Sequence, residues 1–190
     1  LIRIKYNTLK SNSHKEKYYM STFAEFTIDL ETFIAELTQR LANNEKKVQE
    51  LLKVEKKSYY NFIKPLQMID EDLEIFFTPL SHLNSVSNTD ETQKVYTESL
   101  PIITEYSTKL SQNLEIYKAY KEIEEYESSS LNYQQNRVLE LNIQHFEHSG
   151  AHLDDSIKAR LQEINIRKSE LSNNFSQNLL DATNAYEYVV

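Results

Sequence analysis

The chain has 190 residues and a formal charge of −8, with 39% hydrophobic and 26% charged residues, the profile of a chain that can bury a core. It contains no Cys, which excludes disulfide scaffolds, Cys-ligated zinc sites, iron–sulfur clusters and thiol nucleophiles. Its single Gly excludes glycine-rich phosphate loops and disfavours Gly-dependent hairpins, and with three Pro there are few helix breakers.

Residues 1–19 hold Arg3, Lys5, Lys10, Lys15 and Lys17 against Glu16, a local charge of +4 that leaves −12 on residues 20–190. An acidic body repels phosphate backbones and anionic lipid, so nucleic-acid and membrane partners are not expected. Residues 1–19 read as a non-native or disordered leader before Met20. There is no stretch of 18 apolar residues to span a membrane, and a cytoplasmic location is the expectation.

From Asp29 the apolar positions Leu30, Phe33, Ile34, Leu37, Leu41, Val48, Leu51 and Leu52 follow a helical period. Asn43-Asn44 falls inside this run, where it weakens or briefly breaks the helix. A second run uses Phe62, Ile63, Leu66, Ile69, Leu73, Phe76 and Phe77, with Pro65 marking its first turn or a kink. Pro79 to Asn88 reads as a turn or short helix. Thr89 or Asp90 then caps a third helix through Val95, Leu100, Ile103, Tyr106 and Leu110, bent at Pro101.

Leu114, Tyr117, Tyr120 and Ile123 continue helically until Ser128-Ser129-Ser130, the strongest linker signal. Asn132 and Gln135 form a capping-box pattern before Val138, Leu139, Leu141 and Phe146, and Gly150 provides a left-handed stop. The last helix starts near Asp154 or Asp155. Its narrow seam of Ile157, Leu161, Ile164, Leu171, Phe175, Leu179 and Ala182 should pack along another long helix. Tyr186 to Val190 resembles the opening of a strand. The expected fold is all-α: an elongated antiparallel bundle of about six helices, truncated at the start of a possible strand.

Chemistry candidates are few. His145, Glu147, His148 and His152 form the one dense group of metal-ligand types, but their spacing misses H-E-x-x-H and Gly150 interrupts the His148–His152 pair. A polar helix end with solvated His is the simpler account. His82 lies between Leu80 and Leu83 with no paired acid, and Ser81 has no nucleophile-elbow context. Tyr59, Tyr60, Tyr106, Tyr117, Tyr120, Tyr126, Tyr186 and Tyr188 could line a peptide-binding surface, though Tyr filling half-buried helix faces in a Trp-free chain is favoured. Glu122, Glu124, Glu125 and Glu127 read as a solvated face. No catalytic, metal or substrate-binding residue is assigned, and without further information the chain reads as a helical scaffold or interaction module.

Two segments carry more. One is Phe76-Phe77-Thr78-Pro79-Leu80-Ser81-His82-Leu83-Asn84, continuing to Thr89, then Leu100-Pro101 and Glu105-Tyr106-Ser107-Thr108. The other runs from Arg160-Leu161 through Ser169-Glu170-Leu171-Ser172-Asn173-Asn174-Phe175 to Ala185, with Tyr117-Lys118-Ala119-Tyr120 and Phe146 to Ala151 between them. Together they resemble the N-terminal helical region of the thimet oligopeptidase family, in its oligopeptidase A branch, over residues 23–188. The resemblance implies a parent zinc metallopeptidase that cleaves short peptides in the cytoplasm. In that family, H-E-x-x-H and a downstream Glu hold the metal, and the motif Glu activates a zinc-bound water. None of those residues occurs here. What the resemblance implies for residues 20–190 is a non-catalytic domain forming one wall of a peptide channel. It needs the C-terminal catalytic domain of the same chain as its partner and is inactive alone.

Overall fold

A computed structural model describes residues 28–187. The leader reading for residues 1–19 and the last three residues of the expected strand lie outside them; Tyr186 and Glu187 are non-helical. Among the described residues there are six α-helices, one π-helical turn and no strand. Helix α1 spans Phe33–Leu52, the π-turn Tyr59–Ile63, α2 Lys64–Val86 and α3 Asp90–Ser111. Helix α4 spans Leu114–Glu127, α5 Tyr133–His148 and α6 Asp155–Asn184.

The helices pair antiparallel. Phe33 at the start of α1 stacks on Phe76 late in α2, Arg40 meets Asp72, and Val48 shares a cluster with Leu66. Phe77 packs against Tyr96 across α2 and α3. Tyr120 packs on Phe146 across α4 and α5, while Tyr117 donates to Glu147. Two apolar clusters result. One gathers Phe33, Leu37, Leu41, Leu73, Leu80, Val95 and Tyr106 between α1, α2 and α3. The other centres on Phe62, Ile63, Ile116, Tyr120, Ile123, Leu139 and Phe146, joining the π-turn and the start of α2 to α4 and α5.

The caps explain most boundaries. Thr89 accepts from the Thr92 backbone N–H while Thr92 reciprocates, and Asn132 and Gln135 do the same at α5. Asn113 caps α4 and so separates it from α3. Gly150 sits at φ +79, and a Cβ there would come 2.7 Å from Leu153 Cδ1. The left-handed conformation and the close side chain both favour glycine.

Three expectations are corrected. Asn43-Asn44 does not interrupt α1: Asn44 is 2% exposed and faces inward. The segment from Pro79 is neither a turn nor a separate short helix: it is helical, but as the continuation of α2 through Val86 with Pro79 inside it, and the irregular exit is confined to residues 87–89. Proline forfeits one backbone hydrogen bond in a helix interior, and burial of Pro79 and Leu80 offsets that loss. The seam on α6 does not pack along another helix. Ile157, Ile164, Leu171 and Leu179 are exposed, and Phe175 is 69% exposed.

It is the opposite face of α6 that meets α3. Asn173 donates to Thr97, Thr104 to Ser169, and Asn165 to Thr108 at a long 3.5 Å. Short hydroxyl and amide side chains satisfy one another along this contact. The inner face of α6 is therefore largely polar, and its outer face apolar.

Pro65 lies in the first turn of α2, where its missing N–H costs little. The residues before it form the π-turn, with Lys64 N–H bonding Tyr59 C=O and Ile63 N–H bonding Ser58 C=O. Ser58 and Asn61 cap it reciprocally, and Glu127 accepts from the Tyr59 backbone N–H at 2.8 Å. The wider turn sends Tyr59, Phe62 and Ile63 into one core. Glu127 is thus half-buried and structural, unlike the exposed Glu122 and Glu125.

Candidate functional site

An open cleft of about 480 Å³ lies between α2, α3, α4 and α5. Its walls include Leu66, Leu73, Phe77, Ile103 and Leu110, with the rings of Tyr106, Tyr120 and Phe146. Two carboxylates, Asp70 and Glu74, lie one helical turn apart on α2 and line the same space. No Lys or Arg lines it; His145 on α5 is at the edge.

Asp70 makes no hydrogen bond or ion pair among the described residues. Its side chain is reached by solvent, but protein surrounds the cleft, and this desolvation pushes the carboxyl up to about 6. Tyr106 is 6% exposed, and its buried hydroxyl lies at the Asn44 side-chain amide, which favours the ionised phenol and partly offsets the upward shift. Burial, then the charges of Asp70 and Glu45, push the Tyr106 phenol up to about 12. Tyr120 is pushed above the ordinary phenol value by burial and then by Asp70. Asp70 thus acts on the phenols of two other helices.

The sign of the Asp70 shift gives a stability prediction. Below pH 4 the carboxyl is neutral in both folded and unfolded chains and contributes nothing. Between pH 4 and 6 the folded chain holds the proton more tightly, so stability falls as pH rises. Above 6 the full penalty for the partly desolvated charge is present. Asp70→Asn should therefore stabilise the chain by about 1 kcal/mol at pH 7.5, after allowing for solvent at the side chain. Urea titrations at pH 4 and pH 7.5 should show that gain only at the higher pH; an equal gain at both would mean the carboxyl is not desolvated.

The residues singled out in the sequence are dispersed. His145, His148 and His152 are exposed, and Glu147 is engaged by Tyr117 at 2.9 Å. No group of three or more His, Asp or Glu among the described residues is placed to hold a metal ion. His82 is exposed near the end of α2, and Ser81 lines the cleft. The tyrosines divide. Tyr59, Tyr106 and Tyr120 are core residues, Tyr117 is half-buried, Tyr60, Tyr126 and Tyr186 are exposed, and Tyr188 lies outside the described residues.

Sequence reasoning missed Asp70, although a signal existed. Positions 66, 70, 73 and 77 share one helical stripe, and Asp70 places a carboxylate among Leu66, Leu73 and Phe77.

Residues 30–158 match the N-terminal domain of the neurolysin/thimet oligopeptidase family, and the chain belongs to it. It is 37% identical to oligopeptidase A of Escherichia coli over 134 residues, covering 70% of this chain and 20% of that protein. It is 39% identical to oligopeptidase A of Salmonella typhimurium over 127 residues, or 66% of this chain and 19% of the relative. A probable cytosolic oligopeptidase A of Arabidopsis thaliana is 27% identical over 185 residues, 97% of this chain and 26% of its own length. The chain thus spans about a fifth to a quarter of the length of these relatives. No helix among the described residues is long and apolar enough to cross a membrane.

Proposed function

We propose that this domain forms one wall of the substrate channel of a zinc-dependent oligopeptidase acting on short peptides in the cytoplasm. The catalytic residues come from a C-terminal domain of the same chain. Zinc does not fit the residues present: there is no H-E-x-x-H, and the described side chains do not assemble three ligands. Zinc chemistry therefore belongs to that other domain, and the helices described here shape and exclude.

The observation that carries this reading is α6. A free-standing interaction module would turn its apolar seam inward. Here Ile164, Leu171 and Phe175 face out while Asn165, Ser169 and Asn173 face α3. An apolar stripe of this length is the mark of a surface that another part of a protein covers. Family membership supplies the identity of that part.

A chimera tests the reading. Residues 28–187 would replace the matching segment of the Escherichia coli relative. We expect zinc-dependent hydrolysis of short quenched-fluorescence peptides, falling steeply with substrate length, and no cleavage of folded proteins. A folded, zinc-loaded chimera that cleaves long unfolded chains as readily as short peptides overturns the wall assignment. One that cleaves no peptide overturns the peptidase assignment.

A further inference from the structure

We propose that the outer face of α6 seats one amphipathic α-helix from the catalytic part of the same chain, in coiled-coil register, with an Asp or Glu of that helix set against Lys168.

The spacing of the face selects a helix. Ile157, Leu161, Ile164, Lys168, Leu171 and Phe175 advance by 4, 3, 4, 3 and 4 residues. This is a period of about 3.5, the repeat by which two helices keep one seam in contact along their length. At a helical rise of about 1.5 Å per residue the seam is roughly 27 Å long. A β-sheet would need a broad apolar surface opposite it, whereas this seam is one side chain wide and bordered by Arg160 and Arg167. The described fold leaves the seam unused. Leu161 is half-buried and the other five positions are exposed, while α6 meets α3 through Asn165, Ser169 and Asn173 on its opposite face.

Lys168 decides the partner. It stands among the apolar side chains of the seam and has no ion pair among the described residues. Arg160 and Arg167 are answered on α6 itself, by Glu163 at 2.7 Å and Glu170 at 3.1 Å. One uncompensated cation therefore remains on the seam. A single Lys at a core position of a coiled coil lowers stability and fixes register and partner. Its stem can lie along the seam while its ammonium reaches the rim, where a carboxylate of the covering helix meets it. A second copy of α6 offers no such group. None of the six seam positions is acidic, and self-pairing would add a second Lys168 to one apolar seam. The rest of the parent chain is the larger source of a partner, since the present chain spans 20% of the Escherichia coli relative.

That choice of occupant rests on the proposed function; the preference of the seam does not. The seam is measured on this chain with two peptides of three heptads each. One repeats Glu-Ile-Ala-Ala-Leu-Glu-Lys and the other Lys-Ile-Ala-Ala-Leu-Lys-Glu, so they share an apolar repeat and differ in flanking charge. Binding is read as the gain in helical circular dichroism on mixing. We expect saturable binding of the acidic peptide, at least fivefold tighter than that of the basic one, and Lys168→Glu should remove the difference. No saturable gain with either peptide, equal affinity for the two, or a difference untouched by Lys168→Glu overturns the assignment of the seam. The comparison of the two peptides on the unaltered chain stands even if the variant fails to fold. In the full-length parent, a zero-length carbodiimide, which joins ammonium to carboxylate, should link Lys168 to an Asp or Glu on a helix of the catalytic part. A link only to a second copy, or none from Lys168, overturns the choice of occupant. Neither result decides the chimera, whose peptide hydrolysis tests the peptidase and wall readings by itself.

Discussion

Phe62→Ala is expected to lower the stability of the chain by about 3–5 kcal/mol, the range for deleting a fully buried aromatic ring. Phe62 is 0% exposed and meets Tyr120 edge-on at 6.3 Å and 76°. The Lys57 ammonium lies over the ring at 5.8 Å. The cavity has little chance to collapse, because the π-turn is held from both sides. Ser58 and Asn61 cap it, and Glu127 fixes the Tyr59 backbone from α4. A domain stable by about 5–15 kcal/mol cannot lose this much without consequence. Urea denaturation should show the midpoint falling with little change in slope, and the melting temperature should drop by about 10 °C or more. Phe62→Leu should cost no more than about 1.5 kcal/mol. A loss in Phe62→Ala below about 1 kcal/mol would falsify the assignment of Phe62 as the anchor between the π-turn and α4.

The sequence made the helices legible because few residues interrupt the period. Thr89, Asn132, Gly150 and Asp154 marked ends that the structure keeps. Pro79 misled, because a proline rule describes the isolated helix. In the folded chain Pro79 is buried, and tertiary packing outweighs one absent hydrogen bond. The π-turn at Tyr59–Ile63 was illegible for another reason. Its signature is a hydrogen-bond register, and the residues Tyr59, Phe62 and Ile63 fit the ordinary helical spacing equally well.

The cleft was legible only in part. The tyrosines were visible as a set, yet their division into core and surface depends on which helices meet. The Asp70 carboxylate stood in an apolar stripe, but a stripe does not reveal the Tyr106 and Tyr120 phenols opposite. Only the antiparallel pairing of α2 with α3, and the docking of α4 and α5 beside them, brings those groups together.

Helix α6 reverses the rule by which amphipathic helices are read, and this sets the second large prediction. The rule assumes that apolar residues face the core of the chain in hand. In α6 the stripe is intact, but the surface complementary to it is not among the described residues. Burying Ile157, Ile164, Leu171, Phe175 and Leu179 from their half-exposed state would contribute about 5 kcal/mol in total. Arg160 and Arg167 beside the stripe are paired with Glu163 and Glu170, so the covering surface should be apolar at its centre with a polar rim of mixed charge. Leu171→Glu with Phe175→Glu should therefore change the stability of this chain by less than about 0.5 kcal/mol per site. The same pair should reduce concentration-dependent self-association in sedimentation. In the chimera it should lower peptide hydrolysis at least tenfold while the circular dichroism of the helices persists. Asn173→Ala is the opposite case: loss of its bond to Thr97 should destabilise the chain by about 1 kcal/mol, because that contact holds α6 to α3. If the double Glu variant unfolds the chain and Asn173→Ala leaves it untouched, α6 has been placed with the wrong face inward, and the docking of a catalytic domain along it loses its support.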